Sequence, residues 1–274
     1  MSYETVQVDR PAEFVARVTL NRPRKGNAMN RAFWREFREA IKELGDSDAR
    51  VIIVAANGKH FTVGLDLVDF GSMGSGGDSE EEDPARKAFR LRNSVLEMQE
   101  TFSVLEKVRQ PVVAAVHGAC VGGGVDLITA CDVRLCSREA WFCVKEVDIG
   151  ITADVGTLQR LPKVIGNQSA CRELCYTGRR FDADEALSIG LVSHLDANAQ
   201  DLNARALHIA KDIASKSPLT LAGIKEMLNY SRDHSVEDGL KYVATWNGGM
   251  LSPQDMMEAM QANSQKKPAQ YARL

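Results

Sequence analysis

Residues 111–161 read PVVAAVHGACVGGGVDLITACDVRLCSREAWFCVKEVDIGITADVGTLQRL, and the fold is decided there. The apolar run Val112 to Val116 reads as a buried strand. A tight turn at Gly118 follows, then three glycines, Gly122 to Gly124. A helical pattern continues through Val125, Leu127, Ile128 and Ala130. Glycines that open a helix bring bare N–H groups close to a ligand, and the helix dipole there favours negative charge. Three carboxylates, Asp126, Glu146 and Asp154, lie among largely apolar neighbours. Strand, glycine turn, helix and carboxylates point to chemistry that makes an anion and moves protons.

Upstream of this stretch, Phe14 to Leu20 alternates as a strand does. NRPRKGNAMN, Asn21 to Asn30, is turn-rich. Ala32 to Leu44 predicts an amphipathic helix with Phe33, Phe37, Ile41 and Leu44 on one face, closed by Gly45. Val51 to Ala56 is apolar throughout and reads as a central strand. Gly58 to Phe70 is a glycine-containing loop running into a helix start. Gly71 to Pro84, GSMGSGGDSEEEDP, reads as a surface insertion with a solvated acidic face. Lys87 to Lys107 has helical periodicity through Phe89, Leu91, Val95, Met98, Phe102 and Leu105.

Downstream, strands are expected near Val133 to Cys136 and Trp141 to Val144. A capping box sets Asp182 before a helix, with Glu185 three residues on and Gly190 closing it. Further helices start near Leu202, Pro218, Val236 and Pro253. Strands alternate with helices early and helices dominate late, so the class is α/β with a helical C-terminal region. The division expected is residues 1–200 as the core and 201–274 as the helical region.

The formal charge of −3 gives no electrostatic footprint for nucleic acid. No apolar run reaches the roughly 18 residues of a membrane helix. The N-terminus matches neither a signal peptide nor a transit peptide. Six cysteines occur without a CxxC pair, which reads as reduced, buried thiols in an intracellular compartment and no metal site. The ending Ala272, Arg273, Leu274 has the small–basic–leucine pattern of a peroxisomal address.

Two glycine loops stand out. One supplies Gly64, Leu65, Asp66 and Leu67, the other Gly122 to Gly124. Two backbone donors about 3 Å from one oxygen would form an oxyanion hole, worth roughly 3–4 kcal/mol per donor. KHFTVGLDL, AAVHGACVGGGVDLITACDVRL, VKEVDIGITADVGTLQRLPKVIG and YTGRRFDADEALSIGLV, in this order, resemble the enoyl-CoA hydratase/isomerase (crotonase) superfamily. The likeness runs from about Phe14 to Val192 and is weaker beyond. It implies a spiral of ββα units with a helical C-terminal part that builds trimers or dimers of trimers. It also implies an acyl-CoA substrate and a stabilised thioester enolate. Carried over, the oxyanion donors are the N–H groups of Leu65 and Gly123, and NRPRKGNAMN matches a stretch whose backbone helps hold CoA.

In hydratases of that superfamily the helix after the glycines begins with Glu; here it carries Asp126. Glu146 matches a second family Glu. Where hydratases usually have glycine, this chain has Asp154. The pattern GGGVD, VKEVD and ADVGTLQRLP is similar to that of the branch converting 3,5-dienoyl-CoA to 2,4-dienoyl-CoA. That reaction removes a proton at C2 and delivers one at C6, about 5 Å apart along an extended chain. One carboxylate serves both poorly; two along the acyl chain suffice. The family position assigns Glu146 to C2, leaving Asp154 as the acid at C6, with the reverse order open. Asp126 supports the other two or simply sits at a helix start. An idle charge in an apolar pocket is costly, so an added carboxylate there implies use.

His117 reads as a packed strand-end residue, and His60 as loop surface or a CoA neighbour. Asp148 would point with Glu146 if the segment were extended. Trp141 and Phe142 read as packing residues, and Cys120 lacks a general base. The rival readings are a 2-enoyl-CoA hydratase, a 3,2-enoyl-CoA isomerase, and a non-catalytic relative binding acyl-CoA or RNA. No cofactor is expected, because CoA arrives with the substrate. A peroxisome-type organelle is expected first, reached through an import receptor, and the mitochondrion second.

Overall fold

The computed structural model describes residues 3–69 and 83–274. The acid-rich insertion therefore lies, up to residue 82, outside the described residues.

Two sheets organise the chain. The larger has the strand order β1-β2-β3-β4-β6-β9. These strands are β1 (Val6–Ala12), β2 (Val15–Leu20), β3 (Val51–Ala56), β4 (Val112–Val116), β6 (Val133–Ser137) and β9 (His194–Asp196). Only β1 runs antiparallel to its neighbour; β2 through β9 are parallel. Parallel strands are covered on both faces, which is why β3 and β4 are continuously apolar. The alternation is still present beneath that run. Ile52, Val54, Val112, Ala114 and Val116 join one core cluster, while Val51, Ile53, Ala55, Val113 and Ala115 join another.

The first face is covered by α1 (Arg31–Gly45) and the last turns of α2 (Pro84–Lys107). The Asn30 side chain caps α1 by accepting from the Phe33 N–H at 3.0 Å. Asp83 caps α2 by accepting from Ala85 and Arg86. The apolar stripe of α2 divides in function. Phe102 and Leu105 are buried, whereas Phe89 and Leu91 remain exposed. The second face is covered by α7 (Ala199–Ala214) through Leu202, Ala206, Ala210 and Ala214. This helix crosses residue 200, where the helical region was expected to begin.

The chain leaves the large sheet immediately after β4. Gly118 turns at φ +58°, and a Cβ there would lie 2.2 Å from the Lys59 carbonyl oxygen. The next residues form β5 (Ala119–Val121), which pairs with β7 (Trp141–Cys143) and, through it, β8 (Phe181–Asp182). The short α3 (Gly123–Thr129) follows β5 and is wholly buried. Then come α4 (Thr157–Val164), α5 (Gln168–Thr177) and α6 (Ala183–Ser188), the last capped by Asp182 as its sequence predicts.

The C-terminal helices are α8 (Pro218–Ser231), α9 (Val236–Met250) and α10 (Pro253–Gln265). One buried lysine ties them to the core. Lys225 Nζ donates to Leu105 O at 2.5 Å and Gln110 O at 2.8 Å, and lies 3.0 Å from an Asp132 carboxylate oxygen. Among the described residues no helix is long and apolar enough to cross a membrane.

Candidate active site

The site begins as backbone. Residues 61–66 run beside β5 on one side and Ala28–Met29 on the other. Thr62 N–H donates to Ala119 O at 2.9 Å, and Val121 N–H to Thr62 O at 3.1 Å. Met29 N–H donates to Gly64 O at 2.8 Å, and Asp66 N–H to Met29 O at 3.1 Å. This pairing brackets Leu65, whose N–H has no protein acceptor among the described residues. Gly123 is the first residue of α3, so its N–H has no acceptor within the helix. Both residues line one cavity of about 150 Å³. The two residues expected to supply the oxyanion donors thus line the same space.

Gly122 is needed between them. It holds φ +53°, and an added Cβ would come 3.2 Å from Glu146 Oε1. That contact also locates Glu146, whose carboxyl lies directly against the glycine turn. Glu146 opens a 3₁₀ turn, Glu146–Ile149, ended by Gly150. The segment is not extended, so Asp148 turns outward and pairs with Lys145 rather than following Glu146.

Asp126 is fully buried and stands behind Glu146, outside the cavity wall. Its Oδ1 accepts the Thr157 N–H at 2.5 Å, at the start of α4. Its Oδ2 and Glu146 Oε2 are both buried and have no other protein partner. Asp126 lies near enough for its charge to act on the Glu146 carboxyl. A second negative charge nearby in an apolar interior disfavours ionisation of the first. Burial first, then the neighbouring Asp126, pushes Glu146 up to about 7. Burial also raises Asp126, against the pull of the Thr157 N–H. Glu146 Oε1 faces the glycine turn, so the ionised form of Glu146 presents that oxygen beside Gly122.

Asp154 lines the same cavity and is half-buried; burial raises its pKa. Lys145 also lines the cavity; the other walls are mainly apolar, from Trp34, Leu67, Leu91, Val95, Met98, Ile149 and Ile151. Leu67 and Gly64 therefore line the cavity, while Asp66 does not. Arg22 Nη1 bonds Asp66 Oδ2 at 2.9 Å and holds its carboxyl below the usual range. Asp66 thus anchors the loop from outside.

The other candidates are structural. His117 Nε2 bonds Gly58 O at 2.9 Å, and His60 Nδ1 accepts from Ala119 N–H at 3.1 Å. Phe142 stacks on Phe181, and the Arg180 guanidinium covers Trp141. All six cysteines are free, and burial pushes the Cys120 thiol far up. Sequence reasoning missed Trp34, Thr157 and Arg22. Thr157 had a signal, as the first residue of a helix after Gly156; the other two had none.

A model of the enoyl-CoA hydratase/isomerase family matches residues 11–273. The chain belongs to the enoyl-CoA hydratase/isomerase family. The mouse protein named mitochondrial Delta(3,5)-Delta(2,4)-dienoyl-CoA isomerase is 51% identical over 97% of this chain and 81% of the relative. An Arabidopsis thaliana protein of the same name, designated peroxisomal, is 44% identical over 100% of this chain and 99% of its own. A crystal structure of enoyl-CoA hydratase from Bacillus anthracis matches with TM-score 0.87 at 30% identity, covering 98% and 99% of the two chains. The α/β crotonase-like fold expected from the motifs is the fold of this family member.

Proposed function

We propose that this protein isomerises 3,5-dienoyl-CoA to 2,4-dienoyl-CoA in fatty-acid β-oxidation. The observation that carries the reading is one largely apolar cavity lined by Leu65 and Gly123, whose N–H groups have no helix or strand acceptor among the described residues, and by two carboxyl groups, Glu146 and Asp154. The names of the mouse and Arabidopsis relatives support the same reaction.

The thioester oxygen would accept from the N–H groups of Leu65 and Gly123. C2 is bonded to the thioester carbon, so the carboxyl beside the glycine turn reaches it. That carboxyl is Glu146. Glu146 takes the C2 proton, and the electron pair spreads as a dienolate whose oxygen charge the two donors stabilise. Asp154 delivers a proton to C6, and the double bonds come to rest at C2 and C4. Glu146 then holds a proton and Asp154 has lost one; exchange with solvent resets both. The raised pKa values suit these roles, because a base near 7 works at neutral pH and burial moves Asp154 in the direction an acid needs. Asp126, fixed by the Thr157 N–H, helps set the proton affinity of the base through its charge.

No cofactor enters this scheme; CoA is part of the substrate. The exposed Ile224, Leu228, Leu240, Met256, Met257 and Met260 on the C-terminal helices support assembly into trimers or hexamers. Peroxisome and mitochondrion are both named among the relatives, and we favour the peroxisome.

The test is a 3,5-dienoyl-CoA substrate followed by ultraviolet absorbance of the conjugated product. Asp154→Asn is expected to lower kcat about 10²–10⁴-fold, the range for a general acid or base. Hydration of 2-enoyl-CoA that is indifferent to Asp154, without diene conjugation, would make the protein a hydratase.

A further inference from the structure

The loop that carries Asp154 has little backbone support. Ile151 N–H donates to Glu146 O at 3.0 Å, and α4 begins at Thr157. Between them, residues 152–155 make no backbone–backbone hydrogen bond among the described residues. Two side chains hold this loop instead. Gln99 Nε2 donates to Asp154 O at 2.7 Å, and Arg160 Nη1 donates to Val155 O at 3.3 Å. Only the NH₂ end of a Gln amide can face a carbonyl oxygen, so the orientation of Gln99 is fixed chemically. Arg160 is itself held by Glu106 and Ser103.

Gln99 sits on α2 beside Met98, which lines the acyl cavity, yet Gln99 faces a separate polar chamber with Ser103, Glu106 and Arg160. It bonds the acid's main chain and is not itself a lining residue of the acyl cavity. We infer that Gln99 is a positioning residue for the proton donor, setting where the Asp154 carboxyl stands relative to C6. The inference rests on the proposed isomerisation. In that reaction, C2 deprotonation needs Glu146 and the oxyanion donors, whereas C6 protonation needs Asp154. A residue that serves only Asp154 should slow the second step and spare the first. Misplacement by about 1 Å can cost on the order of 10²-fold in rate.

The experiment measures two rates in D₂O with a 3,5-dienoyl-CoA. One is diene conjugation; the other is deuterium entering C2 of recovered substrate. The variants are Gln99→Met, which keeps length and loses the donor, and Gln99→Glu, which sets an acceptor against the carbonyl. Gln99 is only half-buried, so neither change empties the core. The result expected is a fall in conjugation of about 10–100-fold, C2 exchange within about twofold of the unaltered protein, and an unchanged KM. Asp154→Asn should shift the ratio the same way. A parallel fall of both rates, or no change in either, overturns the inference, since a general loss of structure moves them together. Absence of conjugation in the unaltered protein defeats the reaction itself; conjugation with an unmoved ratio in both variants defeats the Gln99 role alone.

Discussion

The two halves of the cavity are built from different materials. The oxyanion side is main chain. Residues 61–66 are pinned between β5 and Met29 by four backbone hydrogen bonds, and the donors are themselves peptide N–H groups. The acid side is side chain throughout, with a carboxyl on a loop that Gln99 and Arg160 suspend. A charge that develops at a fixed place calls for donors that need not move. A proton delivered along a chain calls for a carboxyl whose place can be set independently. The hole is therefore sensitive to any added Cβ, and the acid to loss of single functional groups.

The largest expected break is on the proton side. Glu146→Gln removes the base and should lower kcat for diene conjugation about 10³-fold. C2 deuterium exchange should disappear with it, which separates this variant from Asp154→Asn. Retained exchange would move the base role to another residue. On the backbone side, Gly122→Ala adds a Cβ 3.2 Å from Glu146 Oε1 at a positive φ. It should cost about 10²-fold in kcat, comparable to losing one oxyanion donor. Gly150→Ala adds a Cβ that meets nothing within 4 Å and serves as the control for positive φ alone. Equal losses in the two would deny the glycine turn its special place.

The pH profile gives a smaller effect with a definite sign. The base must be ionised, and burial lifts Glu146 to about 7. Activity should therefore fall with acidification from about pH 7, roughly tenfold per unit below it. A limb appearing only near the ordinary carboxylate range would exclude a base raised by burial.

The least effect is on stability. Glu146 is raised on folding, so its contribution is fully present below the unfolded carboxyl pKa and lost as pH rises through about 7. Glu146→Gln should thus raise Tm by several degrees at pH 8, from about 2 kcal/mol, and by little at pH 4. Thermal melts at the two pH values check this.

Physical cause decides what could be read beforehand. Strands β3 and β4 were legible to the residue, because burial on both faces writes an unbroken apolar run. The first strand, VQVDRPA, was not. It lies at the sheet edge with most side chains exposed, and only its pairing with β2 defines it. The stripe on α2 was legible as a helix but not as a wall. Periodicity cannot distinguish Phe102, which packs in the core, from Val95 and Met98, which face a ligand cavity. The carboxylates were legible because charge in an apolar run needs a reason. Gln99 was not, since a hydrogen bond to a carbonyl 55 residues away leaves no mark on local sequence.

Lys225 carries a further consequence. Its ammonium is buried, and its partners are two carbonyls at the end of α2 and before β4, plus Asp132 before β6. These groups come together only after the parallel strands have assembled. Until then, docking α8 would strand a desolvated cation at a cost of several kcal/mol. The lysine therefore makes the seating of α8 depend on a finished core, because its charge is matched only where these groups have been brought together.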